Sequence, residues 1–125
     1  MSGKRILIVD DEPHIIMMLE MRLQAMGYVS IIARDGQQAL DLAKKEMPDL
    51  IILDVMMPKM DGYKVCGLLK ADTRYKSIPV VIFTARAQEQ DRKMSKEVGA
   101  DAYLNKPINV DELKQTIEGF LGVST

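Results

Sequence analysis

The chain has 125 residues, 17 basic against 18 acidic side chains and a hydrophobic fraction of 47%. A domain of this length buries a core, and no apolar run approaches the roughly 20 residues of a membrane-spanning helix. The first residues lack the charged segment and long apolar stretch of a secretory signal. We therefore expect one domain over residues 1–125, with its core at positions 4–121, no membrane insertion and a cytoplasmic location.

The composition excludes several kinds of site. Direct nucleic-acid binding normally needs a basic face or a platform of aromatic side chains, and this chain has a net charge of −1 and no Trp. A single cysteine, Cys66, excludes an internal disulfide and a Cys-based zinc site, and we predict a packing role for it. The single histidine, His14, excludes most triad chemistry. Carboxylates, a lysine and hydroxyls remain to carry the chemistry.

Short β-branched runs alternate regularly with stretches of helical apolar period. The predicted strands are Arg5–Val9, Tyr28–Ala33, Leu50–Leu53, Pro79–Thr84 and Ala102–Leu104. Five βα units in sequence predict an α/β fold with a parallel sheet covered by helices on both faces. Right-handed crossovers and a central first strand favour the flavodoxin-like (βα)5 arrangement, with strand order 2-1-3-4-5.

Capping residues mark where the helices begin. Pro13 is typical of a first helical turn, and Asp35, Asp61 and Asn109 are typical N-caps. The helical period also predicts that the stripes that face the core include Met47, Leu68 and Phe120.

The fourth helix, predicted between Arg86 and Val98, differs from the others. Its core-facing side offers little beyond Ala87, Met94 and Val98. Elements with few buried apolar contacts open most readily, so we expect this helix to be the least firmly anchored of the five.

The residues at the strand ends are the candidate site, because ligands of such sheets bind beyond the carboxyl ends of the strands. Strands one, three, four and five end in Asp10 with Asp11 and Glu12, in Asp54, in Thr84, and in Lys106 with Pro107. Two carboxylates about 4 Å apart repel by roughly 4 kcal/mol at an effective dielectric near 20. Lys106 alone cannot neutralise Asp10, Asp11 and Asp54, whereas a hard divalent cation such as Mg²⁺ can. We therefore predict a metal pocket beside an ammonium group.

Such a pocket suits phosphoryl transfer. Mg²⁺ and Lys106 would supply positive charge around the phosphoryl oxygens, and the hydroxyl of Thr84 would donate to one of them. An aspartate would then act as the nucleophile and form an acyl phosphate. Asp54 is the best candidate because it stands alone between the acidic pair and the lysine. Each residue alone has a common structural interpretation, such as a helix cap, and only their coincidence at one sheet edge favours function.

The segments ILIVDDEP, LIILDVMMPKMDG, VVIFTA and YLNKP, in this order and spacing, resemble the receiver domain of two-component response regulators. The resemblance extends from Lys4 to Leu121. It implies a phosphorylation-dependent switch in a phosphorelay. Such a switch catalyses its own phosphotransfer and autodephosphorylation but is not a turnover enzyme. It also implies that Asp54 accepts the phosphoryl group and that Thr84 and Lys106 bind it.

The resemblance further implies a set of metal ligands. Asp11 would bind Mg²⁺ directly, together with Asp54 and the backbone carbonyl of Met56. Asp10 would hold the metal through water, and Mn²⁺ is a possible substitute.

A switch mechanism follows from the same resemblance. Thr84 would move toward the phosphorylated aspartate, and Tyr103 would fill the space that it leaves. Met56 and Arg86 would tune the lifetime of the phosphate. The Lys106–Pro107 bond would be cis. The face formed by the fourth helix, the fifth strand and the last helix would then bind a target.

The partners implied are a sensor histidine kinase or a histidine phosphotransfer protein, and a downstream effector protein. We expect a stand-alone receiver, either a chemotaxis- or motility-type output or a phosphorelay intermediate, that is a monomer or a weak phosphorylation-dependent dimer. A receiver that is a fragment of a larger regulator is the alternative.

A strip of His14, Met17 and Met21 projects opposite the buried stripe of the first helix. We interpret it as a docking surface for a partner helix, since methionine side chains adapt to varied apolar surfaces. The alternative is that these are scattered exposed apolar residues without a role.

Two other functions share this fold class. A binder of flavin mononucleotide or a nucleotide would carry a Gly- or Ser/Thr-rich loop after the first strand, where this chain has acids. A Mg²⁺-dependent phosphohydrolase with an aspartyl intermediate usually has a second carboxylate two residues after the nucleophile, and Met56 occupies that position. Both are therefore less favoured than the switch.

Overall fold

A computed structural model describes residues 3–57, 60–85 and 88–122 of the chain. Five parallel strands form one sheet in the order β2-β1-β3-β4-β5, which confirms the predicted topology. The strands are β1 Arg5–Val9, β2 Val29–Ala33, β3 Leu50–Leu53, β4 Val80–Thr84 and β5 Ala102–Asn105. The helices are α1 Pro13–Ala25, α2 Gly36–Glu46, α3 Gly62–Ala71, α4 Glu89–Glu97 and α5 Val110–Leu121.

The central strand β3 divides the core into two apolar layers, because successive side chains of a strand point to opposite faces. Ile51 and Leu53 pack with α2 and α3, whereas Leu50 and Ile52 pack with α1 and α5. All four side chains are at most 1% exposed. Both faces of the sheet are therefore covered, as the continuous apolar strands predict.

The predicted caps are confirmed. The side chains of Asp35, Asp61 and Asn109 each accept a hydrogen bond from the backbone N–H three residues further on. Pro13 is in the first turn of α1. Among the described residues, none of the helices is both long and apolar enough to cross a membrane.

Several boundary and burial predictions were wrong. Strands β2 and β4 begin one residue later than predicted, and β5 runs one residue further. Helix α4 begins at Glu89 after the N-cap Gln88, and the predicted start at Arg86 and the neighbouring Ala87 lie outside the described residues. The side chains of Met47, Leu68, Met94 and Phe120 are exposed.

The apolar period failed because it locates an amphipathic face only approximately. Met47 follows the last turn of α2 in a left-handed conformation with φ 46°, which turns it out of the helical stripe. In α4 the buried side chains are the polar Asp91 and Ser95. The buried side chains of α4 are thus polar where Met94 was expected, and the weak anchoring of this helix stays a prediction.

Candidate functional site

The ends of β1 and β3 bring Asp10 and Asp54 side by side. Val9 pairs with Leu53 in the parallel register, and the N–H of Asp54 donates to the carbonyl oxygen of Val9 at 3.0 Å. Both aspartates lie one residue beyond their strands, and they are only 1% and 4% exposed. Two carboxylates that are distant in sequence thus share one buried position at the carboxyl edge of the sheet.

The two aspartates are held in the same way. Oδ1 of Asp10 accepts the N–H of Glu12 at 3.0 Å, and Oδ1 of Asp54 accepts the N–H of Met56 at 3.1 Å. Each carboxylate is therefore fixed by the backbone two residues further on. Its second oxygen, Oδ2, remains directed at the same cation.

That cation is the ammonium group of Lys106, from the loop after β5. Its Nζ lies 2.7 Å from Oδ2 of Asp10, 3.0 Å from Oδ2 of Asp54 and 3.5 Å from Oε1 of Glu12. The Lys106 side chain is 9% exposed, with Nζ 5.7 Å from the ring centre of Phe83. The Lys106–Pro107 bond is cis.

Burial and hydrogen bonds act in opposite directions on the pKa values of Asp10 and Lys106. It raises the pKa of Asp10 above its ordinary value, even though the hydrogen bonds from Lys106 and from the N–H of Glu12 oppose it. Burial also lowers the pKa of Lys106, but the hydrogen bonds to Asp10 and Asp54 outweigh it, so the net direction is upward. Lys106 is therefore a fixed positive charge at neutral pH.

Three carboxylates and one ammonium leave an excess of two negative charges. Carboxylate oxygens of Asp10, Glu12 and Asp54 lie within 4.8 Å of one another. Hard oxygen donors with this excess charge match a divalent cation such as Mg²⁺.

The acidic trio of Asp10, Glu12 and Asp54 differs from the predicted ligand set. Asp11, predicted to bind the metal directly, is exposed and does not belong to it, whereas Glu12 does. Glu12 is the N-cap residue of α1, which directs its backbone toward Asp10. The run of three acids after β1 signalled this cluster, but the sequence did not distinguish its second and third members.

The other predicted residues of the site occupy different positions. Thr84, at the end of β4, is fully buried, and its carbonyl oxygen accepts the N–H of Lys106 at 2.9 Å. Tyr103, on β5, is half-buried, with the guanidinium of Arg92 5.3 Å from its ring centre. Met56 is 56% exposed beside Asp54, and Arg86 lies outside the described residues.

The predicted docking strip lies on the outer face of α1. Met17 and Met21 are 61% and 65% exposed, and with His14 they line a shallow depression of about 420 Å³. Nε2 of His14 lies 3.4 Å from Oε2 of Glu12. The strip therefore begins where the acidic cluster ends. Cys66, by contrast, is fully buried, with its Sγ 3.6 Å from the carbonyl oxygen of Val98 just after α4, which fits its predicted packing role.

One polar cluster was not found from the sequence. The hydroxyl of Tyr63 on α3 lies 3.2 Å from both the carbonyl oxygen and Oδ1 of Asp91 on α4. Ser95 donates its hydroxyl to the same carbonyl oxygen at 3.0 Å. A tyrosine two residues before the apolar stripe of its helix gives no sequence signal of this contact.

Comparison with known sequences gives one family. Residues 6–118 match the response regulator receiver domain. The probable transcriptional regulator ycf27 of Guillardia theta is 44% identical over 120 residues, which cover 96% of this chain and 46% of that protein. The chain spans about half the length of the curated relatives that it matches.

Solved structures are similar over nearly the whole chain. The chemotaxis protein CheY4 of Vibrio cholerae has a TM-score of 0.88 and 34% identity, with 96% of this chain and 100% of that chain covered. The receiver domain of the sensor histidine kinase PA1611 of Pseudomonas aeruginosa has a TM-score of 0.89 and 30% identity, covering 97% and 99%. That crystal structure has a magnesium ion coordinated in its active site cleft.

Proposed function

This chain belongs to the receiver domain family of two-component response regulators, and from that premise we propose that it is a switch phosphorylated on Asp54. Receiver domains are signalling switches in phosphorelays and not turnover enzymes. The observation that carries the proposal is the shared contact of Lys106 Nζ with Oδ2 of Asp10 and Asp54. One ammonium thus bridges the proposed acceptor carboxylate of Asp54 and a second acid, Asp10.

The chemistry is a transfer to the Asp54 carboxylate. An oxygen of Asp54 attacks the phosphorus atom of a phosphohistidine, the P–O bond of an acyl phosphate forms and the P–N bond of the donor breaks. Lys106, whose Nζ lies 3.0 Å from Oδ2 of Asp54, stabilises the negative charge that develops on the phosphoryl oxygens. The hydroxyl of Thr84 donates to one of those oxygens. In autodephosphorylation, water attacks the same phosphorus atom, the P–O bond to Asp54 breaks, and inorganic phosphate leaves the restored carboxylate.

Receiver domains bind Mg²⁺ at an acidic pocket, and the acidic trio of this chain fits that role. Asp10, Glu12, Asp54 and the backbone carbonyl of Met56 would hold the ion. Mn²⁺ would be able to replace Mg²⁺ there. When bound, the ion supplies positive charge to the phosphoryl oxygens. Asp11, which is exposed, would reach the ion only after turning inward, so we propose it as a ligand of the loaded site alone.

The switch runs from Asp54 toward Tyr103. Thr84 is drawn to the phosphorylated side chain, Tyr103 turns inward from its half-buried position, and α4 shifts with the loop before it. The face of α4, β5 and α5 then binds a downstream effector. Met56 and Arg86 tune the lifetime of the acyl phosphate.

Histidine kinases and downstream effectors are the partners of receiver domains. We propose that a sensor histidine kinase or a histidine phosphotransfer protein docks on the strip of His14, Met17 and Met21. Its two methionines are exposed apolar side chains, and His14 joins the strip to the acidic cluster through Glu12, which would bring a phosphohistidine close to Asp54. We further propose a monomer, or a weak dimer that forms on phosphorylation.

The relatives favour a different setting from the stand-alone output expected from the sequence. Transcriptional regulators about twice as long match this chain, so we now propose the receiver part of a larger regulator ahead of a chemotaxis or motility output. Any nucleic-acid contact would then belong to another part of that regulator. A cytoplasmic location and a single domain with its core at positions 4–121 stay predictions of the sequence.

Intact-protein mass spectrometry after incubation with acetyl phosphate tests this proposal. We expect a Mg²⁺-dependent gain of one phosphoryl group in the wild type and none in Asp54→Asn. Asp41→Asn, an exposed acid on α2, is the matched control and should be labelled normally. No adduct in the wild type, together with no binding of beryllofluoride, would leave only an acidic metal pocket on a binding module.

A further inference from the structure

Helix α4 is attached to the domain by polar contacts. Its buried side chains are Asp91 and Ser95, which are 4% and 3% exposed, whereas the apolar Met94 is 42% exposed. Burial of an apolar face is what normally fixes a helix in a fold. The position of α4 therefore depends on hydrogen bonds to a greater degree than that of its neighbours.

Tyr63 supplies the partner from α3. Its hydroxyl lies 3.2 Å from the carbonyl oxygen of Asp91 and 3.2 Å from its Oδ1, so it donates to one of the two acceptors. Burial and the negative charge of Asp91 raise the pKa of Tyr63, which keeps the hydroxyl protonated as a donor. Ser95 donates to the same carbonyl oxygen at 3.0 Å, so the contact spans a full turn of α4.

Gly62, the residue before Tyr63, packs against the backbone of Asp54 and Val55, which we call the Asp54 segment. Gly62 donates its N–H to the carbonyl oxygen of Val55 at 3.2 Å. A Cβ at Gly62 would overlap the carbonyl oxygen of Asp54 and lie 2.7 Å from the Cα of Val55. The first turn of α3 is thus packed directly on the chain beside Asp54, and Tyr63 extends from that turn to α4.

We propose that Tyr63 is a positioning residue that ties α4 to the Asp54 segment through Asp91, and that this tie opposes displacement of α4 when Asp54 is phosphorylated. The inference rests on the proposed function, because it concerns how phosphorylation reaches α4. It adds a second connection between Asp54 and α4, separate from Thr84 and Tyr103. Loss of one net hydrogen bond changes an equilibrium constant by about fivefold, and the balance between the two positions of α4 shifts by that factor.

The test compares wild type, Tyr63→Phe and Tyr75→Phe. Tyr75, in the loop after α3, is a buried tyrosine whose ring centre lies 5.0 Å from the guanidinium of Arg74, and it serves as the matched control. In the unphosphorylated protein, we expect the amides of Glu89–Glu97 to exchange about fivefold faster in Tyr63→Phe only. The amides of β3 should exchange at the wild-type rate in all three proteins.

A second readout separates positioning from simple loss of stability. Beryllofluoride with Mg²⁺ stands in for the phosphoryl group, and its apparent affinity should rise in Tyr63→Phe by up to about fivefold, since less of its binding free energy is spent on releasing α4. Tyr75→Phe should bind it as the wild type does.

Three results would overturn the inference. They are wild-type exchange of α4 in Tyr63→Phe, faster exchange spread equally over β3, and faster exchange of α4 with no change in beryllofluoride affinity. Failure of acetyl phosphate to modify the wild type would count against the proposed function instead. The exchange of unphosphorylated α4 would still decide whether Tyr63 holds the helix.

Discussion

The ammonium nitrogen of Lys106 lies 2.7 Å from Oδ2 of Asp10, although the two residues are 96 positions apart in the chain. Their strands are not neighbours, because β3 and β4 separate β1 from β5 in the sheet. The lysine side chain therefore reaches across Asp54 and contacts it on the way, at 3.0 Å. This contact makes the stability of the protein and its proposed phosphorylation depend on the same charges.

Asp10→Asn is expected to stabilise the metal-free protein at neutral pH. Burial raises the pKa of Asp10, so the folded protein binds a proton more readily than the unfolded chain does. As pH rises from about 3.8, the unfolded chain releases that proton first, and the free energy of unfolding falls. Asparagine keeps an oxygen for the N–H of Glu12 without the buried charge.

Urea unfolding between pH 4 and 8, with and without millimolar Mg²⁺, measures this effect. Mg²⁺ should stabilise the wild type and have little effect on Asp10→Asn, because ligand stabilisation requires binding to the folded state. Asp41→Asn should leave both behaviours as in the wild type. A less stable Asp10→Asn protein would mean that the ion pair with Lys106 outweighs the burial of the charge.

Gly62→Ala is expected to lower the free energy of unfolding by about 2 kcal/mol, because the new methyl group would overlap the Asp54 backbone. It should also slow labelling by acetyl phosphate by roughly tenfold or more, since displacement of a reacting group by about 1 Å is costly. Gly67→Ala in the same helix is the control. Its Cβ would lie 3.8 Å from Val98, so it should be neutral or stabilising by up to about 1 kcal/mol. Equal effects of the two variants would contradict this packing argument.

The buried thiol of Cys66 is expected to lower the free energy of unfolding at alkaline pH. Burial raises its pKa from 9.0 to about 11 in the folded protein. Between these values the unfolded chain loses the thiol proton while the folded protein retains it, so the free energy of unfolding falls as pH rises. We expect the wild type to lose about 2 to 3 kcal/mol more than Cys66→Ala over this range.

Urea unfolding at pH 8 to 11 gives the slope of the free energy of unfolding against pH for the wild type and for Cys66→Ala. Comparing slopes excludes the loss of stability from the smaller side chain, because that loss does not depend on pH. Parallel slopes would show that the thiol is not the group responsible. Iodoacetamide should alkylate Cys66 rapidly only after unfolding.

The methionine strip is tested by Met17→Lys combined with Met21→Lys. Both side chains are exposed, so the folded protein should retain its stability. Phosphotransfer from the cognate sensor kinase should slow by roughly tenfold, since each lost interface anchor costs about 1 kcal/mol or more. Labelling by acetyl phosphate should not change. Met47→Lys, another exposed methionine, is the control, and unaltered kinase phosphotransfer in the double variant would remove the strip as a docking surface.

The sequence by itself determined the architecture and most of the site. Five β-branched runs with helical stretches between them allow few arrangements, because right-handed crossovers and continuous apolar strands restrict how a parallel sheet is covered. Local capping chemistry located Asp35, Asp61 and Asn109, since each cap depends only on residues within one turn. Asp54 and Lys106 were predictable because strand ends converge at one edge of such a sheet.

Only the tertiary structure decided which side chains meet. A bend follows β1, so the alternation of a strand does not tell whether Asp11 or Glu12 lies nearer the pocket, and in the structure the carboxylate of Glu12 lies with those of Asp10 and Asp54. The polar attachment of α4 was equally hidden. The contact between Tyr63 and Asp91 joins two helices through residues that are 28 positions apart, and a buried carboxylate is stable there because the fold brings a donor to it. Periodicity records which residues prefer burial, whereas the partners of a buried polar group are fixed only when the elements pack.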